Sequence, residues 1–376
     1  MTYLDHAATT PLRSVVRDAV VEAWEIGGNP ASTHRAGQLA NAMLEQGRER
    51  VAAALGAHPT EVVFTSGGTE SINLAIKGFW WSRKRPRIVV PEAEHHATLD
   101  TVLWLEQQGA QLSWVPVDSL GRIDVEAFER ALGPDVAVAT ALAANNEVGT
   151  LQPIEQLAAL AKDAAVPLHL DAVGTFGHVP IDFRAIGAAA MSVTAHKLGG
   201  PVGVGALVIA REHAPQALIH GGGQQRALRS GTGDVVGAHA FGVAAEEAVA
   251  ELSVESERLA GFRELVHAAV EPIEGVRVRG DRVDRLPGTV HFTVEGVDGE
   301  SLQFLLDEAG FQVSTGSACT AGVAQESHVL RAMGVFDDTQ ERIGALRITL
   351  GHTTTRAEID ALLAVLPKSI AQARTA

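Results

Sequence analysis

The chain has 376 residues, of which 46% are hydrophobic and 20% charged, and a formal net charge of -15. That length is too great for one compact core, so two domains are expected, and the acidic balance argues against direct nucleic-acid binding, which needs a basic face. No apolar run reaches the roughly 18 residues of a membrane span, and the single cysteine, Cys319, excludes an intramolecular disulfide and a cysteine-held metal cluster.

The opening Met1-Thr-Tyr-Leu-Asp5 has no signal pattern, so a cytoplasmic protein that does not engage membrane is expected. Residues 1–33 read as extended and loop-like. Leu39, Met43, Leu44, Val51 and Leu55 then fall at helical spacing and predict a helix over 34–55. A strand is expected at 61–65, followed by Ser66-Gly-Gly-Thr-Glu70 and a helix over 71–80. Further strands are expected at 87–91, 112–117, 136–143, 167–171, 188–193 and 205–210, with helices at 98–108, 124–131 and 153–165. Strands that are apolar throughout, separated by helices, indicate an α/β domain with a mostly parallel sheet covered on both faces.

After about Gly233 the pattern changes. A long Ala-, Glu- and Val-rich helix is expected over 237–269, then strands at 276–279 and 289–294 and helices at 300–309 and 356–373. This reads as a smaller α+β domain joined through the long helix.

Polar residues gather at the ends of the predicted strands, where open α/β sheets bind ligands. Thr65 to Thr69 ends one strand, His95-His96 follows another, and Asn145-Asn-Glu147 follows a third. Asp171 ends a fourth, and Thr194, His196 and Lys197 end a fifth. Lys197, between two apolar strands and next to a glycine-rich turn, reads either as a solvated loop lysine or as an amine whose pKa burial lowers into the nucleophilic range. Gly67-Gly-Thr69 before a helix reads as an N-cap or as a small-phosphate site. Asp171 is costly at a buried strand end unless a cation or protonated ring nitrogen faces it, with His169, Asn146 and Lys197 expected nearby. His95, His96, His169, His178 and His196 match no dense metal-ligand spacing.

Cys319 lies in Ser314-Thr-Gly-Ser-Ala-Cys-Thr-Ala-Gly322, a run too small and polar for core, which points to an exposed and reactive thiol. Arg347, in the apolar run Gly344-Ala-Leu-Arg-Ile-Thr-Leu-Gly351, is suited to gripping a carboxylate or to a structural ion pair.

Together these residues resemble the cysteine desulfurase family, pyridoxal-phosphate enzymes of the class V aminotransferase group. The similarity runs from Tyr3-Leu-Asp-His-Ala-Ala-Thr-Thr-Pro11 to Gly351. It includes Gly28-Asn-Pro-Ala-Ser32, Phe64-Thr-Ser-Gly-Gly-Thr-Glu70, Glu94-His95, Asn145-Asn-Glu147, Ala195-His-Lys197, His220-Gly-Gly-Gly223 and Arg229-Ser-Gly-Thr232. Ser314-Thr-Gly-Ser-Ala-Cys-Thr320 resembles the family's first group, which has a long cysteine loop.

The resemblance implies a fold-type I architecture, with a large cofactor-binding domain over 16–252 and a small domain formed by 1–15 and 253–376. It implies pyridoxal 5'-phosphate as cofactor and L-cysteine as substrate. Lys197 would hold the cofactor covalently and shuttle protons, His95 would stack on its ring, and Asp171 would pair with its ring nitrogen. Gly68, Thr69, Thr194 and His196 would hold the phosphate, and Thr232 would reach the phosphate of the neighbouring subunit in a homodimer. Arg347 and Asn146 would bind the substrate carboxylate, with Asn29 close by. Cys319 would take the sulfur as a persulfide and pass it to an acceptor protein for iron–sulfur cluster assembly or tRNA thiolation.

Two positions depart from the family. Glycine stands at 174, where a glutamine that meets the cofactor's phenolic oxygen is usual, and Thr194 replaces the usual serine. The readings that compete are a selenocysteine lyase or aminotransferase of the same fold, a metal hydrolase built on the histidines, and a non-catalytic sulfur-transfer scaffold.

Overall fold

The computed structural model describes residues 1–316, 326–336 and 342–375. The chain begins with β1 (Thr2–Tyr3), α1 (Ser14–Trp24) and α2 (Arg35–Ala54). A 3-10 turn at Pro59–Glu61 leads into β2 (Val62–Thr65), α3 (Gly68–Arg83), β3 (Arg87–Pro91), α4 (His96–Gln107) and β4 (Gln111–Val115). Then follow α5 (Val125–Ala131), β5 (Val136–Leu142), α6 (Ile154–Asp163), β6 (Leu168–Asp171), α7 (Phe183–Ile186), β7 (Ala190–Thr194) and β8 (Gly205–Ile209). The long α8 (Val235–Val270) precedes β9 (Val276–Val278), β10 (Thr289–Glu295), α9 (Gly299–Glu308), β11 (Phe311–Gln312), α10 (His328–Ala332), β12 (Ile343–Thr349) and α11 (Arg356–Ala373).

Seven strands form one sheet in the order β2-β8-β7-β6-β5-β3-β4, and β8 alone runs against the others. Every residue of β5, β6, β7 and β8 is buried, because both faces of the sheet are covered. One face packs Ile72, Ile76 and Phe79 of α3 and Val102 and Leu105 of α4 against Val63, Ile88, Val90 and Leu207. The other packs Leu44 and Val51 of α2, Leu157 of α6 and Phe241 of α8 against Phe64, Val89, Leu170 and Val193.

A second core combines Leu4, Leu259, Val266, Phe292, Leu306, Leu346, Ile348, Leu362 and Leu366 around the antiparallel sheet β12-β10-β9. The helix α8 joins the two cores: its 36 residues span about 54 Å, with Ala238 to Ala248 in the first core and Leu259 to Val270 in the second. Its crossing with α2 depends on glycine. A Cβ on Gly47 would meet the Ala238 carbonyl oxygen at 2.3 Å, and one on Gly242 would meet the Gly47 Cα at 2.8 Å.

Three expectations are corrected. Residues 14–24 form a helix and are not extended. The segment is rich in valine and its N-cap makes no side-chain bond, so nothing local marks it as helical; burial of Val16, Ala19 and Ala23 stabilises it. Leu39 belongs to α2 but points to solvent, at 52% exposed, while Ala40, Met43, Leu44 and Gly47 make the buried face. The strand expected at 188–193 lies at Ala190–Thr194, so that Thr194 is its last residue.

Candidate active site

The C-terminal ends of β2, β3, β5, β6 and β7 open onto a cavity of about 470 Å³, closed from the other side by the N-terminal arm and by β12. Gly68, Thr69, His95, Asn146, Asp171, Gly174, Thr194, His196, Lys197 and Arg347 all line it. The strand ends expected to converge therefore do so. Asn29 and Thr232 do not line this cavity; both are exposed, and the Asn29 carboxamide oxygen accepts the Ala31 N–H at 2.9 Å. Cys319 lies outside the described residues.

At the end of β2 the chain turns directly into α3. Its N-cap, Gly67, supplies no side chain, so the first-turn N–H groups face the cavity beside Gly68 and Thr69 with the positive end of the helix dipole behind them. Glu70 stays clear of that spot: its carboxylate accepts the Ser66 N–H at 2.6 Å and pairs with Arg229 at 2.9 Å. The Arg229 and Ser66 bonds outweigh burial and hold Glu70 below its usual pKa.

His95 caps α4, its Nδ1 accepting the Ala97 N–H at 3.0 Å, which leaves the proton on Nε2. Burial, with the nearby Lys197 charge, lowers its pKa to about 4, so the ring is neutral at physiological pH. After β5, Asn145 builds the turn: its Oδ1 accepts the N–H groups of Glu147 at 2.9 Å and Val148 at 3.0 Å, and its Nδ2 donates to the Ala93 carbonyl at 3.1 Å. Asn146 is thereby held at the cavity, with its buried Oδ1 unpartnered.

Asp171 is 2% exposed and its Oδ1 accepts the Val173 N–H at 3.0 Å. Burial pushes its pKa up to about 6, against the pull of that amide and of Lys197. Lys197 donates from Nζ to the carbonyl oxygens of Ala8, at 2.9 Å, and Ala7. Burial and the Arg347 charge push its pKa down to about 8, while Asp5 and Asp171 pull the other way. The backbone at this lysine is fixed by His178, whose Nε2 donates to the Lys197 carbonyl at 3.1 Å.

The opposing wall carries Arg347, in register with His291 on β10. Its guanidinium donates to the Asn146 carbonyl at 2.9 Å and to Asp5 at 3.0 Å, and its buried Nε is unpartnered. The structural ion pair with Asp5 is therefore present, and the same side chain lines the cavity. His169 has no part in the site: its ring bonds Thr140 at 2.9 Å and Ser192 at 2.8 Å inside the sheet. Among the described residues no group of three or more His, Cys, Asp or Glu side chains is arranged to hold a metal ion.

Sequence reasoning gave no separate role to Asp5, His6, Glu147 and His178, all of which line the cavity. Asp5 and His6 stand in the quoted N-terminal motif and Glu147 in Asn145-Asn-Glu147, so the motifs marked the stretches but not the side chains that face inward.

The comparisons with known proteins bear on this geometry. Residues 2–362 match the family model described as aminotransferase class-V. An IscS-like cysteine desulfurase of Mycobacterium tuberculosis is 48% identical over 100% of this chain and 98% of its own length. The chain belongs to the cysteine desulfurase family. A solved NifS-like protein superposes with a TM-score of 0.92 at 35% identity, covering 99% of each chain. A structure described as SspA in complex with cysteine superposes with a TM-score of 0.81 at 31% identity, covering 93% of this chain and 99% of the other. The fold is that of the family's α/β enzymes, as the resemblance implied.

Enzymes of this family depend on pyridoxal phosphate, and the donor set fits that group. The cavity presents one amine pushed towards neutrality, two buried carboxylates, Asp171 and Glu147, a helix N-terminus flanked by hydroxyls, and unpartnered polar atoms on Asn146 and Arg347.

Proposed function

We propose that this cysteine desulfurase uses pyridoxal 5'-phosphate to convert L-cysteine to L-alanine and places the sulfur on Cys319 as a persulfide. The observation that carries the proposal is Lys197, held near pKa 8 in the same cavity as Asp171 and Arg347. Lys197 would hold the cofactor covalently, and the cofactor so bound would supply an electron sink for the substrate carbons.

The chain's own groups would do the rest. Gly68, Thr69, Thr194 and His196 hold the phosphate at the α3 N-terminus, where backbone N–H groups and the helix dipole favour an anion. Asp171 pairs with the protonated ring nitrogen, whose charge restores the carboxylate that burial disfavours. His95, neutral, would stack on the cofactor ring. Arg347 and Asn146 bind the substrate carboxylate, and Asn29, which the resemblance adds to them, is exposed and outside the cavity lining. Lys197 moves the proton at the substrate carbons. The Cys319 thiolate attacks the substrate sulfur, the carbon–sulfur bond breaks, the carbon takes up a proton as alanine is formed, and the sulfur stays on Cys319. An acceptor protein then removes it for iron–sulfur cluster assembly or tRNA thiolation.

Thr232, exposed and outside its own cavity, is suited to the phosphate of a second copy, which supports a homodimer. The two cores support a division at about residue 252, within α8, into a large domain of 16–252 and a small one of 1–15 and 253–376. No helix of the described residues is long and apolar enough to cross a membrane, in keeping with a cytoplasmic site of action.

The test is Cys319→Ser loaded with cofactor and given L-cysteine. It should retain the cofactor's absorption but carry no persulfide by mass spectrometry and release no sulfide. Sulfide release at the wild-type rate would remove Cys319 from the mechanism.

A further inference from the structure

Among the described residues, the side chains of Lys197 and Arg347 line the cavity against three carboxyl groups, Asp5, Glu147 and Asp171. Burial holds His6, His95, His178 and His196 of the same lining below their usual pKa, so they add no positive charge at neutral pH. Lys197 and Asp171 are assigned above to the cofactor, and Glu147, 2% exposed, takes the Ser327 hydroxyl at 2.5 Å. That leaves Arg347 and Asp5 to meet an incoming amino acid. The two are paired at 3.0 Å, with side chains 8% and 23% exposed. One Asp5 oxygen accepts the Arg347 bond, and the other takes no hydrogen bond among the described residues.

The backbone holds Asp5 in this place. Thr349 of β12 brackets it: the Thr349 N–H donates to the Leu4 carbonyl at 2.8 Å, and the Ala7 N–H donates to the Thr349 hydroxyl at 2.9 Å. The Asp5 carbonyl accepts the Tyr3 hydroxyl at 2.9 Å and the Ala8 N–H at 3.0 Å. The Asp5 charge reaches across the cavity, since burial and Arg347 lower the Lys197 pKa while Asp5, ahead of Asp171, pulls it back. As a pair Arg347 and Asp5 are neutral, so one carboxylate is held by the remaining N–H donors of the guanidinium and not by surplus charge. A side-chain carboxylate two carbons away from it finds no unpaired cation and stands beside Asp5. Placing a like charge against the wrong ligand is a general source of selectivity.

We propose that Asp5 is a specificity-determining residue, its carboxylate at the cavity face turning away amino acids with an anionic side chain and leaving the site to neutral ones such as L-cysteine. This rests on the reading in which Arg347 binds the substrate carboxylate. Asp5 then governs which amino acid is admitted, not the bond making that follows.

The probes are L-aspartate and L-asparagine, which have nearly the same shape and differ by one negative charge. Their dissociation constants are read from the change in cofactor absorption of the loaded full chain. Wild type should bind L-asparagine about tenfold or more tighter than L-aspartate, the penalty of juxtaposed like charges. Asp5→Asn keeps an acceptor for Arg347 without the charge, and should bring the two constants within about threefold of each other through tighter binding of L-aspartate. Equal binding of both by wild type would overturn the proposal. So would a preference for L-asparagine that persists in Asp5→Asn, which is the mark of a purely structural ion pair. Asp5→Ser serves as a second charge-free variant if the first does not fold, and the wild-type ratio decides whatever the variants do. Unchanged constants in Arg347→Ala would remove the carboxylate reading and the proposal with it. If L-cysteine gives no alanine while the ratio moves as expected in Asp5→Asn, the desulfurase reading fails and the role of Asp5 stands.

Discussion

The two walls of the cavity are built by different means. The wall from β2, β3, β5, β6 and β7 is a set of strand ends in a sheet buried on both faces, and each group stands on the last residue of a strand, as Asp171 and Thr194 do, or within the turn that follows it, as His95, Asn146 and Lys197 do. The facing wall comes from Asp5 to Ala8, Leu286 to Thr289, Ser314, Gly316 and β12, which lie far apart in sequence and are joined by bonds that converge on β12. The first wall fixes groups for bond making and breaking. The second carries Arg347, proposed to grip the substrate carboxylate, and the chain that leads to Cys319. The first wall is built from neighbouring strands of one sheet, the second from contacts between sequence-distant segments.

Breaking the first wall should cost most. Lys197→Ala would remove the proposed covalent attachment and the proposed proton transfer together, and positioned acid–base groups alone are worth about 10²- to 10⁴-fold. Turnover of L-cysteine should fall by at least about 10³-fold, and borohydride should no longer fix the cofactor to the chain; retained covalent labelling would reassign the attachment. Arg347→Ala, on the second wall, should act more mildly and differently. Losing a charge-assisted grip on a carboxylate is worth about 1.5–3 kcal/mol, so kcat/KM should drop roughly ten- to a hundredfold, most of it in KM. An unchanged KM would mean that Arg347 serves only its pair with Asp5 and the Asn146 turn.

The smallest effect concerns a group behind the first wall. Glu94 is 1% exposed; its Oε1 accepts the Leu142 N–H at 2.7 Å, its Oε2 is unpartnered, and burial raises its pKa to about 8. A carboxyl whose folded pKa is raised contributes stability that is complete below the unfolded value of about 4.5 and lost as pH rises through about 8. Glu94→Gln removes that term. Its melting temperature should exceed wild type by a margin that grows between about pH 5 and pH 8. Parallel pH curves would show that Glu94 is ionised in the folded chain.

The difference between the walls also explains what the sequence made legible. The first wall follows from local signals, since an all-apolar run ending in a polar residue announces a buried strand with its end at a ligand. Asp171, Thr194 and Lys197 were visible in that way. The same logic failed for His169, because the alternation of a strand does not say that Thr140 and Ser192 will satisfy a buried ring. The second wall has no local signal. That Arg347 would face Asp5, 342 positions away, follows only from the parallel pairing of β1 with β11 and the bridge between Asp5 and Thr349. The helix at Ser14–Trp24 was hidden for a similar reason, since its stability comes from packing on α8.

The most direct measurement is product analysis after cofactor-loaded protein is given L-cysteine and a thiol reductant. Alanine and sulfide in equal amounts are predicted by the proposed roles of Lys197 as proton donor to carbon and of Cys319 as the thiol that takes the sulfur. Pyruvate and ammonia accompanying the sulfide would mean elimination, and would contradict the account at its centre.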